Sequence, residues 1–183
     1  TGASMGIGES ISIALAEVGA NLILISRSEE KPTALAKKLT SSHSNCKVVY
    51  KAADIADYKA VDDAVSAAVQ ELGDIDILVN NVQFSISDIL TMNNTNINGT
   101  MFVTYAVLNR CMQSRKAGTI LNVTSITGLE VPPFPGEAVY HANKAAQEAF
   151  TNSLRNELSG TNIRVLALRP GCVATNFHSP RGP

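Results

Sequence analysis

Tyr140 and Lys144 place a phenol and an ammonium four residues apart, a spacing that sets both on one face of a helix. A phenol titrates near pH 10 in water, and a neighbouring cation favours phenolate and lowers that value. The pair then suits proton exchange with an alcohol or carbonyl oxygen. By itself it reads equally as an exposed helix pair. Ser125 ends the run Asn122-Val123-Thr124-Ser125, where its hydroxyl can meet a substrate oxygen or simply cap a turn.

A second group of residues suits a dinucleotide. Thr1-Gly2-Ala3-Ser4-Met5-Gly6-Ile7-Gly8 leads directly into a helical pattern. Glycines let the backbone turn tightly against a diphosphate, and the helix start supplies unpaired amides. A plain packing turn uses glycine in the same way. Arg27 follows an apolar run at the position where NAD-binding folds commonly carry an acid; arginine suits a 2′-phosphate and so favours NADP, although a solvated arginine reads the same. Asp54, Asn80 and Asn81 also follow apolar runs, where they can meet the adenine edge, tie strands together or form turns.

The elements that must position these groups are legible from periodicity. Ile7, Ile11, Leu15 and Val18 recur at helical steps over 6–18 and Gly19 ends that helix; further helices are expected over 33–39, from Asp57 to Gly73, and over 95–113 and 139–158. Short apolar runs at 22–25, 46–50, 75–79, 118–123 and 163–168 read as strands. The alternation implies βαβ units, hence an α/β, Rossmann-type doubly wound parallel sheet in a single domain over 1–183. Ligands of such folds bind beyond the carboxyl ends of the strands, where the candidate residues stand.

Composition narrows the partners. With 15 Lys+Arg against 16 Asp+Glu and a net charge of −1, nothing favours a nucleic-acid backbone as partner. No apolar run approaches the roughly 18 residues that span a bilayer. Three dispersed cysteines and three histidines without ligand spacing suggest neither a disulfide framework nor a metal site, and a reducing, cytoplasmic compartment is expected.

Taken together, Thr1-Gly2-x-x-x-Gly6-x-Gly8, Asp54, Asn80-Asn81, Asn96-Ile97-Asn98-Gly99, Ser125, Tyr140-x-x-x-Lys144 and Pro170-Gly171-x-Val173-x-Thr175 resemble the short-chain dehydrogenase/reductase family, in family order along the whole chain. The resemblance implies a catalytic set of Asn96, Ser125, Tyr140 and Lys144. Tyr140 is then the acid-base catalyst, Lys144 lowers its pKa and holds the nicotinamide ribose, Ser125 bonds the reacting oxygen, and Asn96 anchors a water that relays protons to Lys144. It implies a cofactor site of Gly2, Ser4, Gly6, Ile7, Gly8, Arg27, Asp54, Asn81, Tyr140, Lys144, Pro170, Gly171, Val173 and Thr175, with NADP(H) favoured over NAD(H). The segments 128–140 and 164–175 look most like fungal NADP-dependent 3-hydroxy acid (serine-type) dehydrogenases. Leu24 to Ser28 and Asn80-Asn81-Val82 also resemble the long-chain 3-ketoacyl-CoA and 17β-hydroxysteroid branch. A homo-oligomer is expected from the same likeness.

The chain departs from the family pattern where Asn80-Asn81 is followed by Val82-Gln83 rather than Ala-Gly. The stretch from Asn81 to Asn96 is also shorter than usual. A loop missing near 82–85, a first strand missing before Thr1 and a missing C-terminal segment are therefore expected. A non-catalytic dinucleotide-binding sensor is the alternative from another functional class.

Overall fold

In a computed structural model, residues 1–3, 5–27, 30–43, 45–81, 89–130 and 136–173 are described, without the side chains of 30–32. Ser4, the 82–85 segment and Thr175 lie outside them.

Strands and helices alternate. Helix α1 (Gly6–Glu17) precedes β1 (Leu22–Ser26), α2 (Glu30–Ser42), β2 (Val48–Ala52), α3 (Tyr58–Leu72) and β3 (Ile77–Asn80). A broken helix follows, made of α4 (Ile89–Asn93), a π-turn (Asn94–Asn98), α5 (Gly99–Val107) and a second π-turn (Leu108–Met112). Strand β4 (Ala117–Val123), a 3₁₀ turn (Ile126–Gly128), α6 (Ala138–Glu157) and β5 (Asn162–Leu168) complete the described chain. Every strand pairing is parallel, as crossover helices require.

The ladders form two sheets: β1 with β2, and β3, β4, β5 in that order. Between the free edges of β1 and β3 lies a cleft of about 330 Å³, bordered by Leu22, Leu24, Ile77 and Val79 and flanked by Ile11 and Leu15 of α1. At its end the two sheets are tied by Thr1 N to Val79 O, 2.7 Å, and Gly2 N to Ile25 O, 3.2 Å.

Of the periodic apolar residues of α1, Ile7, Ile11 and Leu15 are half-buried, and the fully buried stripe beside them is Gly8, Ser12 and Ala16. Small side chains let the helix lie close to the turn, while Val18 is 79% exposed.

Helix α3 begins as its residues dictate. The Asp57 carboxylate accepts from Lys59 N at 2.9 Å and Ala60 N at 3.2 Å, satisfying two of the unpaired first-turn amides. Gly73, at φ +86°, ends the helix in a left-handed conformation open to glycine. Val61, Ala64 and Val65 then pack with Val103 and Val107 of α5 in the main core, each buried valine contributing about 1.5–3 kcal/mol.

Candidate active site

The glycine turn meets the requirements of a diphosphate cradle. Gly2 and Gly6 adopt φ +63° and +59°, left-handed values that side chains resist. A Cβ on Gly2 would overlap the Asn81 carbonyl, and one on Gly8 would overlap the Gly2 carbonyl. The α1 N-cap residue, Met5, makes no side-chain cap bond, so the first amides of the helix keep no side-chain acceptor of that kind and are disposed toward an anion. Ile7 is half-buried behind them.

Asn81 is built into this turn: its backbone N donates to Thr1 Oγ1 at 3.3 Å and its Nδ2 to Gly2 O at 3.2 Å. Asn80 points elsewhere. Its Nδ2 donates to Thr104 Oγ1 at 2.9 Å and Asn122 Oδ1 at 3.0 Å, and Asn122 Nδ2 donates to Thr151 Oγ1 at 2.9 Å. This buried polar ladder joins the carboxyl ends of β3 and β4 to α5 and α6. Arg27 and Asp54 are exposed after β1 and β2, and the Asp54 carboxylate accepts from Ala56 N at 3.0 Å, a local turn contact.

On the other side of the glycine turn, Ile126 N donates to Pro170 O at 3.2 Å, placing Pro170 and Gly171 beside Ser125. Val173 is 41% exposed farther along. Ser125 Oγ accepts from Thr127 N at 3.2 Å and Thr127 Oγ1 at 3.0 Å. With both acceptor positions used, its own proton is the one left to donate.

Tyr140 and Lys144 lie in the first turns of α6, 7% and 0% exposed. The Lys144 Nζ is 5.7 Å from the Tyr140 ring centre and donates to Val123 O at 3.1 Å and Gln147 Oε1 at 3.0 Å. Burial pulls its pKa down to about 7, against a smaller upward pull from Glu148. An ammonium with so low a value changes charge near neutral pH, unlike a surface lysine.

Asn96 sits in the π-turn, wholly buried. Its carbonyl accepts from Gln147 Nε2 at 2.7 Å and Thr100 Oγ1 at 2.7 Å. Its side-chain amide is buried without a partner among the described residues. A side chain that sequence reasoning passed over, Gln147, spans from the Asn96 carbonyl to Lys144 Nζ. Its position three residues after Lys144, on the same helical face, was the available signal.

Three other contributors were also missed. Glu148, buried on α6, accepts from Thr124 Oγ1 at 2.5 Å and from Arg169 Nε and Nη2, each at 2.8 Å. Burial alone would raise its pKa, but Arg169 and Thr124 outweigh that and hold it low. This fork clamps the end of β5 onto the helix carrying Tyr140 and Lys144. Asn143 Nδ2 likewise joins α6 to α4 through Asn93 Oδ1 at 2.8 Å.

A sequence model described as short chain dehydrogenase matches residues 1–183. An uncharacterised oxidoreductase of Staphylococcus epidermidis is 37% identical over 184 residues, 96% of this chain and 76% of that protein. The NADP-dependent 3-hydroxy acid dehydrogenase of Schizosaccharomyces pombe is 37% identical over 188 residues, 97% of this chain and 71% of that protein. Among solved structures, the closed form of serine dehydrogenase complexed with NADP+ superposes with a TM-score of 0.85 at 32% identity, covering 98% of this chain and 74% of that one. A bacterial and a fungal relative are thus equally similar over the whole chain.

Proposed function

Because the chain belongs to the short-chain dehydrogenase family, an oxidoreductase family acting on CH–OH groups, we propose that it interconverts a secondary alcohol and a ketone with NADP(H), a 3-hydroxy acid and its keto form being the favoured substrate pair. The observation that carries this reading is the buried Lys144 beside Tyr140 on one face of α6.

The glycine turn of Gly2, Gly6 and Gly8, with Ser4, Ile7 and the α1 amides, is assigned to the diphosphate. Asn81 holds that turn in place. Arg27 is assigned to the 2′-phosphate, Asp54 to the adenine side, and Pro170, Gly171, Val173 and Thr175 to the nicotinamide side, with Lys144 on the ribose. The bound nicotinamide supplies the hydride chemistry.

During ketone reduction the Tyr140 hydroxyl gives its proton to the carbonyl oxygen, and during alcohol oxidation it takes the alcohol's proton. A charged Lys144 favours the phenolate form that this exchange passes through. Ser125 donates its remaining proton to the reacting oxygen and fixes it against Tyr140.

The test follows nicotinamide absorbance with NADPH and a panel of β-keto acids and simple ketones. Reduction by the wild type, with a loss on the order of 10²–10⁴-fold in Tyr140→Phe, supports the reading. Cofactor binding with no carbonyl reduced, and no change in Tyr140→Phe, would instead mark a dinucleotide-binding protein without catalysis. Long-chain 3-ketoacyl-CoA and 17β-ketosteroid substrates belong in the same panel.

No helix among the described residues is long and apolar enough to cross a membrane. Cys46, Cys111 and Cys172 are all free thiols, which supports a reducing, cytoplasmic location. A homo-oligomer is proposed through α5 and α6, where Tyr105, 42% exposed, lies against Phe150.

A further inference from the structure

We propose that Gln147 is a positioning residue of the proton-transfer site, its side-chain amide spanning from the Asn96 carbonyl to Lys144 and fixing where the lysine ammonium sits. The proposal rests on the assignment of Tyr140 as acid-base catalyst.

The amide's orientation follows from its partners. A backbone carbonyl only accepts, so the group facing Asn96 O at 2.7 Å must be the Gln147 nitrogen. Thr100 Oγ1 is already donating to Asn96 O and takes the second Gln147 N–H at 3.2 Å. The Gln147 oxygen is thereby turned toward Lys144 Nζ, 3.0 Å away. An ammonium has three donors; Gln147 takes one and Val123 O another. One remains for the catalytic side.

Gln147 is itself 4% exposed, so its partners are fixed by packing and no solvent competes for them. Two consequences follow. First, the amide oxygen stabilises the charged form of Lys144 in a site where burial opposes it. Second, the carboxamide ties Lys144 to the π-turn carbonyl of Asn96 and so fixes its position there.

The charged and titratable groups around Lys144 leave Gln147 room to act. On α6 these are Tyr140 and Glu148, with the His141–Glu137 pair one turn away. From the end of β5 comes Arg169, and from α6 Arg155, both acting on Glu148. The β4 end and the π-turn contribute neutral groups: Val123 O, Thr124, Ser125 and Asn96.

The test is Gln147→Met, which keeps length and flexibility but removes both hydrogen-bonding ends. Phenolate absorbance near 295 nm is titrated in wild type, Tyr140→Phe and Gln147→Met, the difference from Tyr140→Phe isolating Tyr140 among the four tyrosines. Loss of the acceptor lowers the charge on Lys144, so the Tyr140 titration should move up by about one pH unit, a tenfold change in its equilibrium. The pH profile of kcat for oxidation of 3-hydroxybutanoate or L-serine with NADP+ should move the same way, with KM changed less. Should Gln147→Met not fold, Gln147→Asn, whose amide is too short for the span, is read in its place.

An unmoved Tyr140 titration in a folded Gln147 variant overturns the inference while leaving the catalytic reading intact if Tyr140→Phe is inactive. Full activity in Tyr140→Phe overturns the catalytic reading itself.

Discussion

Lys144 makes stability depend on pH in a calculable way. Its pKa falls from 10.5 to about 7 on folding, through burial. Between those values the unfolded chain binds the proton and the folded chain does not, so stability rises with pH from about 7 toward 10.5 and is flat below. For these two values the gain between pH 7 and pH 9 is about 2 kcal/mol, on the order of 5 °C in Tm for a chain of this size. Lys144→Met removes the titrating group. It also leaves the Val123 carbonyl and Gln147 oxygen unpaired, at about 1–3 kcal/mol each, a cost that does not vary with pH. Urea unfolding of both proteins in a Tyr140→Phe background, under reducing conditions at pH 7 and pH 9, isolates the effect, because the phenol that Lys144 would perturb is then absent from both. The protein that keeps Lys144 should gain about 2 kcal/mol relative to Lys144→Met across that interval. Equal gains, or a relative loss by the protein that keeps it, would refute the claim that Lys144 is buried at the expense of its charge.

Other perturbations reach different parts of the site. Gly8→Ala puts a methyl group into the Gly2 carbonyl and should weaken NADPH binding at least tenfold by displacing the cradle, measured by quenching or calorimetry. Arg27→Glu should shift the ratio of kcat/KM for NADPH over NADH by more than tenfold toward NADH. Arg169→Ala strips Glu148, whose side chain is 4% exposed, of its fork and should cost about 3 kcal/mol in urea unfolding. Arg169→Lys should recover only part of that, because a point charge replaces a bidentate contact.

Much of this architecture was legible because its strands are short apolar runs and its helices keep a regular period. The limits from Asp57 to Gly73 were readable because the cap and the stop are local chemistry. The helix entered at Ile89 was expected only from Thr95. The Asn93-Asn94-Thr95-Asn96 stretch has poor helix propensity, and the helix survives there through tertiary bonds from Asn143 and Gln147 that no local pattern reveals. The burial of Gly8 was hidden for a related reason: its close approach to the Gly2 carbonyl leaves no apolar period to read. Among site residues, Tyr140, Lys144 and Ser125 could be singled out by chemistry and position. Gln147, Glu148 and Arg169 could not, since their roles depend on which strand end the helix meets.

The buried ladder of Asn80, Asn122 and Thr151 bears on how the sheet resists opening. Asn80 Nδ2 donates to Thr104 Oγ1 and Asn122 Oδ1, and Asn122 Nδ2 donates to Thr151 Oγ1, so the carboxyl ends of β3 and β4 cannot part from α5 and α6 without stranding buried polar atoms. Amides at that end of β3 and β4 should therefore be among the slowest to exchange, opening together with α5 and α6 rather than by local fraying. A site that rests on such an end keeps its floor while the loops above it move.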